Sequence, residues 1–302
     1  SLRALPSCST KSWNHARNRM IVKLKDLKQE LKRIAAKTFW AYGSDELVKQ
    51  LRQCGVVPGT TLMFHSSWNP FGGFQGKPAD VVRALKEAVG PEGLLVMPSM
   101  PYHNMSSAQW LAKGKAMNVS RTPSMMGLIS EVFRRSEGVR RSLSPTHPLI
   151  AWGRDADDFV GGHEHALKPF GAESPFGRLL ERNALILGFD ATFSSFTFTH
   201  FVEDQVCSTI PVPLYEPEPM QGNVIDYEGN ARTIDAMVLS ARANALRREH
   251  RLQTALENGG VLKASRIGNT RLVYIRAADL SDGALSMVAK GEHFFDFPEE
   301  RN

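Results

Sequence analysis

Cysteine is scarce in this chain of 302 residues: Cys8, Cys54 and Cys207 are the only three, they lie far apart, and no Cys-x-x-Cys pair occurs. Neither a disulfide framework nor a zinc knuckle can therefore hold the fold together, and a reducing compartment fits best. No apolar run approaches the ~20 residues that cross a bilayer as a helix, which argues against a membrane span. The amino-terminal stretch also lacks the apolar core of a secretory signal, so a cytoplasmic location is expected. Residues 1–19 carry Arg3, Lys11, Arg17 and Arg19 among Ser, Cys and Asn, and are expected to form a disordered leader ahead of one domain over 20–302. No repeat, low-complexity tract, zinc finger, aromatic RNA-binding signature or basic zipper is present, which argues against a nucleic-acid partner. Acid is missing locally as well: no Asp or Glu occurs from Gly93 to Lys115.

What remains is an ordinary globular composition, 42% apolar and 23% charged, with ample material for a core. The formal charge is +6, part of it in the leader and part in Lys23-Leu-Lys-Asp-Leu-Lys-Gln-Glu-Leu-Lys-Arg33. A solvated basic face is the ordinary explanation; an anionic partner, such as a phosphorylated cofactor or a nucleotide-linked sugar, is the functional one.

Apolar residues at three-to-four spacing (Ile21, Leu24, Leu27, Leu31, Ile34) predict a helix. Ser44-Asp-Glu-Leu predicts a second, with Ser44 as its cap, ending near Gly55. Leu62–His65 and Leu94–Pro98 read as buried strands. Between them Pro78–Gly90 reads as a helix with proline in its first turn and glycine at its end. That order predicts a parallel crossover. Thr122-Pro-Ser-Met-Met-Gly predicts a helix start, with Thr122 at the cap and the helix running to Arg135. Leu149–Gly153, Ala184–Gly188 and Arg271–Arg276 read as strands, Leu214–Ile234 as loops or a hairpin, and Ala236–Glu257 as a helix. The alternation predicts an α/β fold: a single domain with a central mixed or mostly parallel sheet flanked by helices.

Thr199-His200-Phe-Val-Glu203 is the most informative string. On a helix, residues three apart share a face, so Glu203 can accept the Nδ1–H of His200 and leave Nε2 as a base. The same spacing arises by chance in incidental surface pairs. His65-Ser66-Ser67 ends a strand and enters Phe71-Gly-Gly-Phe-Gln-Gly76, where small residues and free amides can cradle phosphates or a pantetheine chain, or simply turn. His147 precedes a strand and is also read as a structural loop histidine. His163-Glu-His165 lacks the spacing that puts two histidines on one helical face, so no metal site is expected. Cys207 has no hydrolase signature around it and is not read as a nucleophile.

Together these strings resemble the aminoglycoside 3-N-acetyltransferase family from about Ser44 to about Ala289. Five blocks stand in the family's order: Phe64-His-Ser-Ser with its later Gly-Gly; Met97-Pro-Ser; Arg121-Thr-Pro-Ser-Met-Met-Gly; Arg141-Ser-Leu-Ser-Pro-Thr-His-Pro with Trp152-Gly; and Thr199-His-Phe-Val-Glu. Gly171-Ala-Glu-Ser-Pro also fits. The resemblance implies the fold of that family and direct transfer from acetyl-CoA, without a metal, to an amine of an aminoglycoside, an amino sugar or a related metabolite. It implies His200 as general base, Glu203 as its carboxylate, and His65 at the active site. Ser66, Ser67, Gly73, Thr122 and Ser124 are implied as the lining of the CoA channel. A non-catalytic CoA- or sugar-binding member, or an acyltransferase with an oxygen or non-sugar acceptor, is the rival expectation; a homodimer is left open. Where drug-modifying members carry an acid shortly before Thr-Pro-Ser, this chain has Met117-Asn-Val-Ser-Arg121. With the acid-free segment, this favours a neutral or anionic amino sugar over a polycation.

Overall fold

The computed structural model describes residues 10–297. The helices are α1 (Thr10–Thr38), α2 (Ser44–Gln53), α3 (Pro78–Val89), α4 (Ser107–Leu111), α5 (Leu128–Arg134), α6 (Ala156–Val160), α7 (Pro175–Glu181), α8 (Thr199–Gln205), α9 (Ala241–Leu246), α10 (Glu249–Asn258) and α11 (Ala277–Ala289). The strands are β1 (Thr61–Ser66), β2 (Leu94–Pro98), β3 (Met117–Asn118), β4 (Arg140–Arg141), β5 (Leu149–Gly153), β6 (Leu185–Phe189), β7 (Met220–Ile225), β8 (Ala231–Ala236), β9 (Lys263–Ile267) and β10 (Thr270–Arg276).

Seven strands form one sheet in the order β4-β5-β2-β1-β6-β10-β9. The central β1 runs parallel to β2 and β6, and every other pairing in this sheet is antiparallel. The fold is thus a mixed α/β sheet, as expected, with the β1-α3-β2 crossover at its centre. Buried on both faces, the central strands are continuous apolar runs rather than alternating ones. Leu62 and Phe64 point to a core shared with α2, α3 and α5; Met63 points to a second core beneath α6, α7, α8, α10 and α11. The expected hairpin is β7–β8, which joins β3 in a small second sheet.

Four expectations are corrected. Residues 10–19 belong to α1 rather than to a disordered leader, and residues 1–9 lie outside the described residues. No Gly or Pro occurs between Thr10 and Thr38, so nothing in the chain stops the helix there. The cap of α2 is Gly43, whose N–H donates to the Glu46 carboxylate at 2.9 Å, and Ser44 is the first helical residue. The helix expected from Thr122 starts only at Leu128, after Gly127 at φ +106°, a left-handed conformation that no helix propagates. The helix expected over Ala236–Glu257 is a strand end, then α9 capped by the Ser240 hydroxyl, then α10. Arg247, extended between α9 and α10, makes the break.

Candidate active site

The carboxyl ends of β1, β2 and β6 face the turn that enters α8. Phe198 just before α8, and Phe201 and Val202 on it, are buried in the core, which fixes the helix's rotation and sets His200 and Glu203 on one face. The His200 Nδ1 lies 3.0 Å from Glu203 Oε2; the carboxylate is 1% exposed and the imidazole 20%. Sequence spacing thus placed this pair correctly.

It did not reveal Arg247, whose Nη2 donates to Glu203 Oε2 at 2.8 Å and sits 2.9 Å from His200 Nδ1. A guanidinium only donates, so with the carboxylate as the shared acceptor Nδ1–H and Arg247 both donate to Glu203 Oε2, while Glu203 Oε1 and Arg247 Nε are buried without a partner. His200 Nε2 then carries the lone pair, and no protein group among the described residues bonds to it. Arg247 stands 44 residues from Glu203 in a run that reads as ordinary basic helix, so no local pattern announces it.

The His200 ring rests on Phe170, centroids 4.8 Å apart, and His147 packs on the same phenyl at 4.5 Å. Burial, then the nearby His200 and His163, hold the His147 imidazole well below its ordinary basicity. Burial also raises the Tyr102 phenol, which therefore stays protonated. Its hydroxyl donates to His147 Nε2 at 2.9 Å, and Nδ1–H donates to Thr146 Oγ1 at 3.0 Å. Tyr102 stacks on Trp110, so the acid-free segment reaches the His200 ring through Tyr102, His147 and Phe170.

His65 is buried, its Nε2 accepting the Thr197 N–H at 3.0 Å, and Thr197 O in turn accepts the His200 N–H. It thereby holds the turn that positions α8. Burial lowers its pKa to about 3, so the ring is neutral at physiological pH. His163, with Ser142 on Nδ1 and Pro169 O on Nε2, is lowered to about 4 by burial. In the unfolded chain these histidines take protons near pH 6.5. Their stabilising effect is therefore complete above about pH 6.5 and is lost as pH falls toward their folded values. Stability at pH 5 is expected to be lower than at pH 7 by on the order of 2 kcal/mol per buried histidine. Melting temperature followed from pH 7 to pH 5 checks this, and His163→Gln should flatten the slope by one proton's share.

Ser66 and Ser67 line, with His65, Met126 and Ser130, a cavity of about 140 Å³ at the end of β1. The other expected cofactor residues are not brought there. Thr122 Oγ1 accepts the Asn118 N–H at 2.8 Å, and Ser124 Oγ bonds Ser130 Oγ at 2.9 Å, so both hydroxyls help to fold the segment leading into α5. Gly73, at φ +106°, packs so tightly on Trp40 that a Cβ would stand 1.9 Å from its carbonyl oxygen. Its glycine is required by the close approach to the α1–α2 junction. Among the described residues no cluster of metal-binding side chains occurs.

Residues 63–289 match the family model described as aminoglycoside 3-N-acetyltransferase. The chain is 27% identical over 263 residues to aminoglycoside N(3)-acetyltransferase IV of a Salmonella species, covering 84% of this chain and 90% of that one. It is 29% identical over 192 residues to the SPbeta prophage-derived aminoglycoside N(3')-acetyltransferase-like protein YokD of Bacillus subtilis (strain 168), 58% of this chain and 70% of that one. Among solved structures, AAC-VIa bound to sisomicin superposes with a TM-score of 0.67 at 25% identity, covering 83% of this chain and 99% of that one. The fold and site define an acyltransferase of a CoA-dependent kind. The chain belongs to the aminoglycoside 3-N-acetyltransferase family.

Proposed function

We propose that the protein transfers the acetyl group of acetyl-CoA to an amine of an aminoglycoside or a related amino sugar, with His200 as general base. The carrying observation is the His200–Glu203–Arg247 cluster, in which Nδ1–H is anchored and Nε2 is left open. Acetyl-CoA, bound as cosubstrate, supplies an activated thioester. His200 Nε2 takes a proton from the acceptor nitrogen, the N–C bond forms at the thioester carbonyl, and the C–S bond breaks. The imidazolium returns its proton to the departing thiolate. Glu203 balances the charge that appears on the ring, and Arg247 keeps that carboxylate in place. His65 acts as a positioning residue, through Thr197, on the helix that carries the base. Ser66 and Ser67 are proposed to contact the cosubstrate at the end of β1. A general base of this kind contributes about 100- to 10,000-fold.

The sisomicin complex of a relative supports an aminoglycoside acceptor. The acid-free segment behind His147 supports a less cationic one. Comparing kcat/KM for aminoglycosides and for nucleotide-linked amino sugars at two salt concentrations separates the two. If carboxylates elsewhere line the acceptor site, aminoglycosides turn over efficiently and lose efficiency as salt rises. If the acid-free segment governs, the nucleotide-linked sugars are preferred. Failure of both classes to release thiol would end the proposal in favour of a binding role.

A further inference from the structure

Helix α1 carries an apolar face that nothing among the described residues covers. Every described side chain from Met20 to Ile34 is exposed, and Ala36 is the first buried one. The helix is tied to the body near its carboxyl end. There Gln75 Nε2 donates to Ala36 O at 3.1 Å, and the Lys32 ammonium stands 5.9 Å from the centre of the Phe71 ring. The helix lies outside residues 63–289, the stretch that matches the acetyltransferase family, so the shared chemistry does not account for it. Helices in proteins owe most of their stability to burying an apolar face rather than to propensity. Over about four turns, α1 has such a face and leaves it open.

The face is a narrow seam. Met20, Leu24, Leu27, Leu31 and Ile34 recur at alternating spacings of four and three, the a and d positions of a heptad repeat, and each is 50–60% exposed. At 3.6 residues per turn they fall within about 80° of arc, narrower than the stripe of a helix that lies on a globular core. Lys32 and Ala36 mark the side turned to the body, about 140° round the helix from the seam, so the seam is free to take a partner helix. Asp26 and Glu30 beside the lysines disfavour an anionic lipid surface. Charge then selects the register. The positions bordering the seam are Ile21 and Lys28 on one flank and Lys23 and Glu30 on the other. Two copies in a parallel pair would set Lys23 against the partner's Lys28. An antiparallel pair with Leu27 opposite the partner's Leu31 would set Lys28 against the partner's Lys28 and Glu30 against the partner's Glu30. With Leu24 opposite the partner's Leu27 and Met20 opposite the partner's Leu31, Lys23 meets the partner's Glu30 on both sides of the symmetry axis. Lys28 then meets the partner's Ile21, and no like charges face each other across the seam. Arg17, the next seam position, meets the partner's Ile34, where its stem covers the isoleucine and its head reaches water.

We infer that α1 binds the α1 of a second copy of this chain as an antiparallel coiled coil, in the register that sets Leu24 against the partner's Leu27. The contact uses the same patch on both copies, so it closes as a dimer and leaves no free seam. The inference goes beyond the acetyltransferase reading and needs none of its residues.

Sedimentation equilibrium of the full chain over a concentration series is expected to show monomer and dimer in exchange. Leu24→Glu/Leu27→Glu puts carboxylates into the seam and should leave a monomer. Its melting temperature at low concentration should match that of wild type, because both leucines are exposed in the single chain. Glu30→Lys sets lysine against lysine at both flanking pairs and should raise the Kd of the dimer about 10-fold. Lys23→Glu/Glu30→Lys exchanges the two charges and should restore wild-type affinity. A wild type that stays monomeric at every concentration would overturn the inference. So would a dimer that Leu24→Glu/Leu27→Glu leaves intact, since the interface would then lie elsewhere. A charge exchange that fails to restore the dimer, or that tightens it well beyond wild type as a parallel pair would, contradicts the register. Binding of monomeric wild type to phosphatidylglycerol vesicles, lost in Leu24→Glu/Leu27→Glu, would overturn the inference by giving the seam to an anionic lipid surface.

Discussion

His200→Ala is expected to lower kcat by at least about 100-fold while the affinity for CoA changes little. The reason is positional. Among the described residues, the imidazole is the one group that offers an open nitrogen at the strand ends while its other nitrogen is anchored to a buried carboxylate. His147, the nearest comparable ring, has both nitrogens engaged, by Tyr102 and Thr146, and stays neutral by burial. His65 has its Nε2 on the Thr197 amide and its Nδ1 buried without a partner, away from solvent. Neither ring can substitute without breaking the packing around Phe170 or the turn before α8. Glu203→Gln should be milder than His200→Ala, because the ring stays on Phe170 and loses only the charge that balances the imidazolium. Steady-state thiol release with purified variants, alongside CoA titrations, measures both effects.

Arg247 gives the second large effect, and it divides between stability and turnover. Glu203 is 1% exposed, so removing its guanidinium leaves a buried carboxylate with the His200 ring as its one remaining partner among the described residues. Breaking such a pair costs about 3–5 kcal/mol, and Arg247→Met is expected to lose stability on that scale in urea unfolding. The double variant Arg247→Met/Glu203→Gln, with no charge left to strand, should recover most of it. Turnover should not recover, because the carboxylate that orients His200 is gone. Arg247→Ala should regain part of its kcat in added guanidinium, an outcome that a merely structural role would not produce. Additive stabilities in the double variant, with no guanidinium effect, would remove Arg247 from the catalytic cluster.

How far the sequence predicted this molecule can be traced residue by residue. Strands β2, β5 and β6 were legible because strands buried on both faces read as apolar runs, β1 because of its Leu-Met-Phe centre, and β10 because Leu-Val-Tyr-Ile stands between two arginines. The His200–Glu203 pair was legible because its geometry is local, one helical turn. Thr122-Pro123 misled because its chemistry suits a helix start equally well; what decides otherwise is tertiary, the Ser124 amide donating to Glu131 and Gly127 reversing the backbone. At Gly73 a glycine required by backbone crowding and one required by a ligand leave the same trace in the sequence, and the structure adds the crowding against Trp40. Arg247 depends on contacts between distant segments, which no spacing rule encodes. The two-residue β3 and β4 carry too little pattern to register.

The central claim is that His200-driven chemistry forms an amide on an amino-bearing acceptor. Mass spectrometry and nuclear magnetic resonance of the product, collected with thiol counting from acetyl-CoA, test it most directly. One acetyl group on an amine nitrogen for each thiol released, abolished in His200→Ala, is the predicted result. Thiol release with the acetyl group on a hydroxyl or on water, or N-acetylation at full rate by His200→Ala, would contradict it.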